Sequence, residues 1–289
     1  MDLSDAAAVR QLLSRHGFRF SRSLGQNFIA DPSVCPRMAE SCGAGPESGA
    51  LEIGPGVGVL TKELAARAGK VVAVELDRAL APILAETLAS CRNVRLVWGD
   101  AMKLDLKSLL RSEFGGGDIF VCSNLPYYIT SPVVMRFLEE KLPVRALTVM
   151  VQKEAAERLC AQPGTRACGA VSIAVRYYAE PEILFGVPRT SFYPRPNVDS
   201  AVIRLTVRGA PPVEVPDEKM FFTVVKAAFG QRRKTAVNSV AACLSLPKER
   251  VAAALKQTGA RPDVRAERIT MQQFARLSAL LRPERGTLQ

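Results

Sequence analysis

The stretch LEIGPGVG, at residues 51–58, is the clearest indication of how this chain folds. Its first residues end an apolar run typical of a buried strand, its glycines permit a tight turn, and a helical pattern begins near Thr61. This order predicts a ligand-binding turn at the edge of a parallel sheet, although a tight turn without a ligand is the alternative. The spacing G-x-G-x-x-G is absent, which disfavours a dinucleotide pyrophosphate and favours a small adenosine-containing ligand without phosphates.

Short apolar runs alternate with helical patterns after residue 50, as expected for a parallel sheet with crossover helices. The predicted strands are 50–53, 71–75, 94–98, 119–123, 147–151, 171–178 and 200–207, and the predicted helices among them are 61–68, 78–90, 132–140 and 153–161. A Pro/Gly stretch at 208–212 then indicates a linker, followed by predicted helices at 218–229, 234–244, 249–258 and 271–281. The sequence therefore predicts an α/β, Rossmann-like, seven-stranded domain over residues 1–208 and a smaller all-helical domain over 209–289.

The composition is that of a globular, basic protein. The chain has 289 residues and 48% hydrophobic content, and its apolar stretches are shorter than the roughly 18 residues of a spanning helix. The formal charge of +11 is densest in residues 211–289, which hold 14 Lys/Arg and 7 Asp/Glu, and it favours a polyanionic partner. With one histidine and seven cysteines in no C-x-x-C pair, we expect no metal site, no membrane anchor and a cytoplasmic location.

Acidic residues mark the ends of the next two predicted strands. Glu75 ends the second strand, where a carboxylate can accept hydrogen bonds from both hydroxyls of a ribose. Asp100 follows the third strand, where it can accept a hydrogen bond from an adenine amine while the Ala101 amide donates to the ring. Because the carboxyl ends of parallel strands meet at one edge, these residues predict an adenosine site beside the glycine turn.

The tetrapeptide NLPY, residues 124–127, ends the fourth predicted strand at the same edge. An exocyclic amine on a base is a poor nucleophile because its lone pair is delocalised into the ring, so it must be held and aimed. The Asn124 amide oxygen and the adjacent main-chain carbonyl can accept its hydrogens, Pro126 fixes the turn, and Tyr127 can stack on the base. Taken alone, Asn-Leu-Pro-Tyr is an ordinary turn, but its position favours direct methyl transfer to a base amine.

Three further segments are interpreted as contacts with nucleic acid or ligand. The segment 21–28 is too polar to be buried without a purpose and is predicted to be a loop that lies over another part of the molecule. Phe192, in the aromatic and proline-rich segment 191–200, can stack on an extruded base, with a structural role beside the prolines as the alternative. Arg195 of the same segment is predicted to contact RNA. Arg232, Arg233 and Lys234 precede a predicted helix and can meet phosphates, with a solvated charge run as the alternative.

Seven motifs resemble, in order, the rRNA adenine N6,N6-dimethyltransferase family of the KsgA type over essentially the whole chain. They are SLGQNF (23–28), EIGPGVG (52–58), ELD (75–77), GDA (99–101), NLPY (124–127), FYPRP (192–196) with Val198 and Ser200, and QRRKT (231–235) with Phe229. The resemblance implies S-adenosylmethionine as methyl donor and two adjacent adenosines in the 3′-terminal hairpin of 16S rRNA as substrate. The partner is then the small (30S) ribosomal subunit or its precursor, and we expect a monomer.

By position, the resemblance also implies a role for individual residues. The cofactor-binding residues are then Leu24, Gln26, Asn27, Gly54, Gly56, Glu75, Leu76, Asp100, Ala101 and Asn124, and the residues that hold the target amine are Asn124, Leu125, Tyr127 and Phe192. The chain departs from the family at Asn197, where lysine is common, at Ile29, where leucine is usual, and at Ala236, where a larger aliphatic residue is frequent. The missing lysine bears on the strength of RNA contact and not on the chemistry.

Three other functions compete with this interpretation. A related enzyme of the Erm type, which methylates large-subunit rRNA, would have nearly the same fold and site, although Leu125 and the Arg-rich tail favour the KsgA type. A DNA adenine methyltransferase would usually carry an added target-recognition region, which the sequence does not show. A non-catalytic ribosome-assembly factor is disfavoured by the intact site motifs.

Overall fold

The computed structural model describes residues 5–21, 24–231 and 233–282. The chain divides into two compact units, the first made of Met1–Ala156 and Ala179–Val207 and the second of Glu157–Tyr178 and Arg208–Gln289. The chain therefore passes between the units three times. The predicted single boundary at residue 208 differs from this division, because the segment 157–178 groups with the helices that follow the sheet.

The first unit is built on a seven-stranded sheet, with a small two-stranded sheet beside it. The strands are β1 (Phe28–Ile29), β2 (Gly49–Ile53), β3 (Lys70–Glu75), β4 (Val94–Trp98), β5 (Ile119–Asn124), β6 (Ala146–Gln152), β7 (Ala179–Val187), β8 (Phe192–Tyr193) and β9 (Ser200–Val207). The order in the large sheet is β4-β3-β2-β5-β6-β9-β7, and β1 pairs with β8. The first five strands in that order are parallel, whereas β9 is antiparallel to both β6 and β7.

Burial along the strands follows from their place in the sheet. Every residue of the interior strand β2 is buried, as expected for a strand covered by helices on both faces. The edge strand β7 is largely exposed and carries Glu180, Pro181 and Glu182. Charge and proline on an edge strand discourage pairing with another chain.

Within the described residues, six α-helices and the start of a seventh belong to the first unit. They are α1 (Ala6–Arg15), α2 (Val34–Cys42), α3 (Val59–Ala65), α4 (Ala81–Thr87), α5 (Leu106–Phe114), α6 (Thr130–Glu139) and α7 (Lys153–Cys160), which ends in the second unit. Helices α2 and α3 bury Met38 and Leu64 in one apolar cluster with the sheet residue Met150. Helices α1 and α4 bury Leu12 and Ile83 in another. Helix α5 has no counterpart among the predicted helices; it begins where the Asp105 carboxylate accepts a hydrogen bond from the Ser108 amide.

The second unit is helical. Its elements are α8 (Ala170–Tyr178), α9 (Glu218–Phe229), α10 (Ala236–Leu244), α11 (Lys248–Gln257), α12 (Met271–Leu281) and the 3-10 helix Ala266–Arg268. Phe221 and Phe274 are fully buried in its core. Side chains at the helix starts, Asp217, Thr235 and Thr270, accept hydrogen bonds from main-chain amides and fix where α9, α10 and α12 begin.

The predicted strand at 171–178 is wrong, because this segment is helix α8 and the strand follows it at Ala179–Val187. Val171, Ile173 and Val175 alternate with smaller or polar residues, which imitates the period of a strand. In the structure Ile173 and Tyr177, four positions apart, share one buried helix face in the core of the second unit. None of the helices in the described part of the chain has the length and apolarity needed to cross a membrane.

Candidate active site

A pocket lies where strands β2, β3, β4 and β5 end, at the carboxyl edge of the sheet. Its lining is formed by residues 24–29, 52–57, 59–60, 74–76, 80, 99–102 and 124–129. All of these residues belong to the first unit. The pocket thus brings together every predicted cofactor-binding residue, and also Leu125 and Tyr127 of the predicted amine-binding turn.

The glycine turn after β2 forms the floor of the pocket. Gly54 and Gly56 have φ angles of 73° and 58°, a region that side chains other than glycine rarely adopt. A Cβ atom on Gly56 would lie 2.9 Å from Cδ1 of Phe28, which also lines the pocket. Glycine is therefore required at this position both by the backbone and by the close approach of the N-terminal segment.

The Glu75 carboxylate is held beside this turn. One of its oxygens accepts a hydrogen bond from the Asp77 amide at 2.8 Å, and the other accepts from the Gly56 amide at 3.4 Å. Burial raises the pKa of the Glu75 carboxyl above its ordinary value, while these two hydrogen bonds act in the opposite direction. The carboxylate is thus oriented before any ligand arrives, at the position where a ribose is expected.

A second acid, Glu52, belongs to the pocket lining and is almost fully buried, and sequence reasoning gave it no role. Its carboxyl is 1% exposed and accepts a hydrogen bond from the Thr61 hydroxyl at 2.6 Å. Burial raises the pKa of Glu52 to about 8, partly offset by the hydrogen bond from Thr61, and the charge of Glu75 adds to the rise. The only signal in the sequence is a lone acid among apolar strand residues, which is costly to bury without a purpose.

The loop after β4 presents Asp100 and Ala101 to the pocket. The Asp100 carboxylate accepts a hydrogen bond from the Met102 amide at 2.8 Å, and its side chain is 30% exposed. The carboxylate is therefore fixed by its own loop and still partly open to a ligand. This geometry suits an acceptor for an adenine amine.

The Asn-Leu-Pro-Tyr turn forms the opposite wall. The side-chain nitrogen of Asn124 donates to the main-chain carbonyl of Asn27 at 3.1 Å, and no described residue donates to its side-chain oxygen. Leu125 is buried, and its amide donates to the Met150 carbonyl at 3.2 Å. The Asn124 amide is thus oriented with its nitrogen toward the protein, which leaves its oxygen as an acceptor.

Tyr127 is fixed by the last strand pair of the sheet. Its hydroxyl lies 2.9 Å from the hydroxyl of Ser200, the first residue of β9. Burial raises the pKa of Tyr127, and the hydrogen bond with Ser200 lowers it in part. The bond restrains the aromatic ring next to Asn124.

The N-terminal segment is fastened over the pocket by Gln26. Its side-chain nitrogen donates to the Asp77 carboxylate at 2.7 Å, and its side-chain oxygen accepts from the Ser21 amide at 3.0 Å. Gln26 therefore lines the pocket, while its side-chain nitrogen attaches this segment to the loop after β3 and its side-chain oxygen binds the main chain of its own segment.

Phe192, Arg195, Arg233 and Lys234 are not among the residues that line the pocket. Phe192 is 3% exposed and pairs with Ile29 across β1 and β8, so this conformation does not bring it to the pocket lining. It belongs to a buried apolar cluster that also contains residues of α2 and of the large sheet. Arg195, Arg233 and Lys234 are exposed, and Arg232 is outside the described residues.

Solved structures with a similar fold were found. The structure of the 23S rRNA methyltransferase ErmE has a TM-score of 0.68 and 28% sequence identity, and covers 88% of this chain and 99% of that chain. A dimethyladenosine transferase from Plasmodium falciparum has a TM-score of 0.72 and 21% identity, covers 86% of this chain and 95% of that one, and supports the fold alone. The sheet order and the pocket at its carboxyl edge define a Rossmann-like methyltransferase.

The model of the ribosomal RNA adenine dimethylase family matches residues 17–282, and the chain belongs to that family. It is similar, with 48% identity over 288 residues and 98% of both chains, to the ribosomal RNA small subunit methyltransferase A of Geobacillus thermodenitrificans (strain NG80-2). It is also 48% identical over 284 residues, 97% of each chain, to the protein of that name in Bacillus mycoides (strain KBAB4). The chain is thus an rRNA methyltransferase.

Proposed function

We propose that this enzyme transfers methyl groups from S-adenosylmethionine to N6 of two adjacent adenosines in the 3′-terminal hairpin of 16S rRNA, dimethylating both. The observation that carries the proposal is a pocket in which Asn124 lies together with the glycine turn, Glu75 and Asp100. Direct transfer requires this arrangement, because the methyl group and the amine must meet in line. The relatives named for the small subunit support 16S rRNA as the substrate.

The residues of the pocket fit S-adenosylmethionine. The Glu75 carboxylate is placed to accept hydrogen bonds from the ribose hydroxyls, and Leu76 borders the same position. Asp100 accepts from the adenine amine, and the Ala101 amide donates to the ring. Gly54 leaves room for the amino-acid part. Leu24, Gln26 and Asn27 border the cofactor from the N-terminal side.

The chain contributes position and dipoles to the reaction. When bound, S-adenosylmethionine supplies an electrophilic methyl group. The Asn124 side-chain oxygen and the Leu125 carbonyl accept the two hydrogens of the target amine, which directs the lone pair on its nitrogen out of the ring and toward the donor. Tyr127, held by Ser200, stacks on the adenine. Phe192 would join this stack only after leaving its buried cluster when RNA binds.

The second unit supports RNA as the partner. Residues 211–289 hold 14 Lys/Arg and 7 Asp/Glu, and Arg233 and Lys234 stand exposed just before α10. We propose that these two cations, with Arg232 and with Arg195 of the first unit, contact phosphates of 16S rRNA in the 30S subunit or its precursor. We also propose that the enzyme is a monomer and acts in the cytoplasm.

The test is transfer of labelled methyl from S-adenosylmethionine to small subunits lacking the modification, followed by nucleoside mass analysis. Large subunits and naked DNA are assayed in parallel. Dimethyladenosine on small subunits alone is expected. Label on large subunits alone would indicate an Erm-type enzyme, and no label on any substrate would leave a binding or assembly role.

The variant Asn124→Ala tests the catalytic assignment. We expect methyl transfer to fall on the order of 10²-fold or more, because an acceptor aimed at the reacting amine is lost. Binding of the small subunit should be retained. Asn238→Ala on α10 is the matched control, since among the described residues the hydrogen bond to the Thr235 hydroxyl is made by the main-chain amide of Asn238 and no partner contacts its side chain through a hydrogen bond. Unchanged transfer by Asn124→Ala would contradict the assignment.

A further inference from the structure

The loop after β4, which carries Asp100 and Ala101, has a shape set by its own hydrogen bonds. The Asp100 carbonyl accepts from the Lys103 amide at 2.8 Å and from the Leu104 amide at 2.9 Å, in addition to the bond between its carboxylate and Met102. These bonds define a compact turn. They do not determine how that turn is held against the rest of the pocket.

Arg136, on helix α6, makes that attachment. Its two terminal nitrogens donate to the main-chain carbonyls of Ala101 at 2.6 Å and Leu104 at 2.8 Å, and its Nε pairs with Glu140 at 2.9 Å. The side chain is only 15% exposed, so these charged hydrogen bonds are well shielded from water. A planar guanidinium can hold two carbonyls at once in a fixed geometry, which a lysine cannot do.

The same helix is joined at its other end to the turn that is proposed to hold the target amine. The Pro126 carbonyl accepts from the Ile129 amide at 3.1 Å and from the Thr130 hydroxyl at 3.3 Å, and α6 begins at Thr130. Helix α6 therefore contacts the base-binding turn through its first residue and the Asp100 loop through Arg136. A helix is stiff over this length, so it sets the spacing between the two.

We propose that Arg136 is a positioning residue, which places the Asp100–Ala101 loop for recognition of the adenine of the cofactor and holds it in register with the Asn-Leu-Pro-Tyr turn. The inference rests on the proposed function, since it assumes that the loop reads adenine. Arg136 contacts main-chain atoms of the loop and is not among the residues that line the pocket. Nothing in the local sequence marks it, because its partners are carbonyls of residues more than thirty positions away.

The experiment compares binding of two ligands by calorimetry. S-adenosylhomocysteine carries the adenine amine, and S-inosylhomocysteine carries an oxygen in its place, so the ratio of their Kd values measures recognition at Asp100. The ratio is determined for the wild-type chain and for Arg136→Met and Arg136→Lys. Arg145→Met is the matched control, because that guanidinium pairs with Asp118 on the surface and is 68% exposed.

We expect Arg136→Met to raise the Kd for S-adenosylhomocysteine about tenfold and to reduce the preference over the inosine compound, with Arg136→Lys between it and wild type. Arg145→Met should leave unchanged both the Kd for S-adenosylhomocysteine and the preference over the inosine compound. A loss of fold would weaken the binding of both compounds alike and lower Tm. The ratio of the two Kd values therefore separates a change in positioning from unfolding. If Arg136→Met prefers S-adenosylhomocysteine over the inosine compound as strongly as wild type does, the positioning role of Arg136 is overturned and the proposed function is not. If the wild-type chain binds neither compound, the proposed function is overturned as well.

Discussion

At the scale of single residues, Glu52 has the most unusual environment in the pocket. Its carboxyl is almost completely removed from water and has one hydrogen-bond donor among the described residues, the Thr61 hydroxyl. Desolvation of an acid favours its protonated form, which is why its pKa rises to about 8. Near neutral pH this residue is therefore mostly neutral in the protein without ligand, although glutamate is normally charged.

This environment predicts a pH-dependent stability that Glu52→Gln removes. The folded-state pKa of about 8 lies above the ordinary value of 4.5, so the folded state holds a proton that the unfolded state releases between these values. Stability then falls as pH rises through this window, by up to about 1.4 kcal/mol per pH unit, and levels off above pH 8. The stability of Glu52→Gln relative to wild type should increase by about 2–3 kcal/mol between about pH 5.5 and about pH 7.5.

Urea unfolding of both proteins at several pH values measures this difference. Glutamine imitates the protonated acid and can still accept the Thr61 hydrogen bond, so the two proteins should be similar at about pH 5. Parallel stability curves across the range would show that Glu52 does not titrate in this window.

Whether sequence analysis could assign a residue of the site depended on whether its role has a local cause. Asn124, Glu75 and Asp100 each stand at the end of a predicted strand, so the rule that parallel strands end at one edge is enough to place them together. Arg136 has no such marker, because its function depends on a tertiary contact with main-chain atoms. For Phe192, sequence analysis assigned a role that this conformation does not display. The position of Phe192 in its motif indicated contact with a base, whereas in the structure the side chain is buried in an apolar cluster.

At the scale of elements, the strand, turn and helix around residues 51–65 were predictable because each has a local cause. In β2 every residue except Gly49 and Glu52 is apolar. The turn that follows has glycines at positive φ, and α3 begins directly after it. The error at α8 has a non-local cause. Its residues alternate like those of a strand, but in the structure Ile173 and Tyr177 are buried in a core formed largely by helices α9 to α12, which come later in the chain.

The turn after β2 gives a prediction that separates backbone strain from steric conflict. Gly56 and Gly115 have nearly equal φ angles, 58° and 60°, but only a Cβ on Gly56 would meet another residue, Phe28 at 2.9 Å. Gly115→Ala should cost about 1–2 kcal/mol of stability and leave binding of S-adenosylmethionine unchanged. Gly56→Ala should cost more and weaken that binding about tenfold or more, because Phe28 must move within the pocket lining.

Urea unfolding and calorimetry on the two variants check this expectation. Equal losses of stability and equal cofactor affinity would mean that the contact between position 56 and Phe28 is of no consequence.

At the scale of the whole molecule, charge determines the expected response to salt. Each phosphate contact adds roughly 0.7–0.9 to the slope of log K against log salt concentration. Replacing Arg233 and Lys234 together by glutamine should therefore reduce the magnitude of the slope for binding to 16S rRNA by about 1.4–1.8. Filter-binding measurements at salt concentrations from low to moderate give this slope. The Kd for S-adenosylmethionine serves as the control and should not change, and a slope equal to that of wild type would exclude these two residues from the RNA contact.

The division of the chain into interleaved units has a consequence for its synthesis. Helix α8 is translated between β6 and β7, but the ring of Tyr177 packs 5.2 Å from that of Phe221, which emerges from the ribosome only after the last strand. The nascent chain must therefore carry the apolar face of α8 uncovered while β7 and β9 complete the sheet. For the same reason, a gene fragment ending at residue 208 would not encode a self-contained catalytic half, because Ile173 and Tyr177 would be left in water.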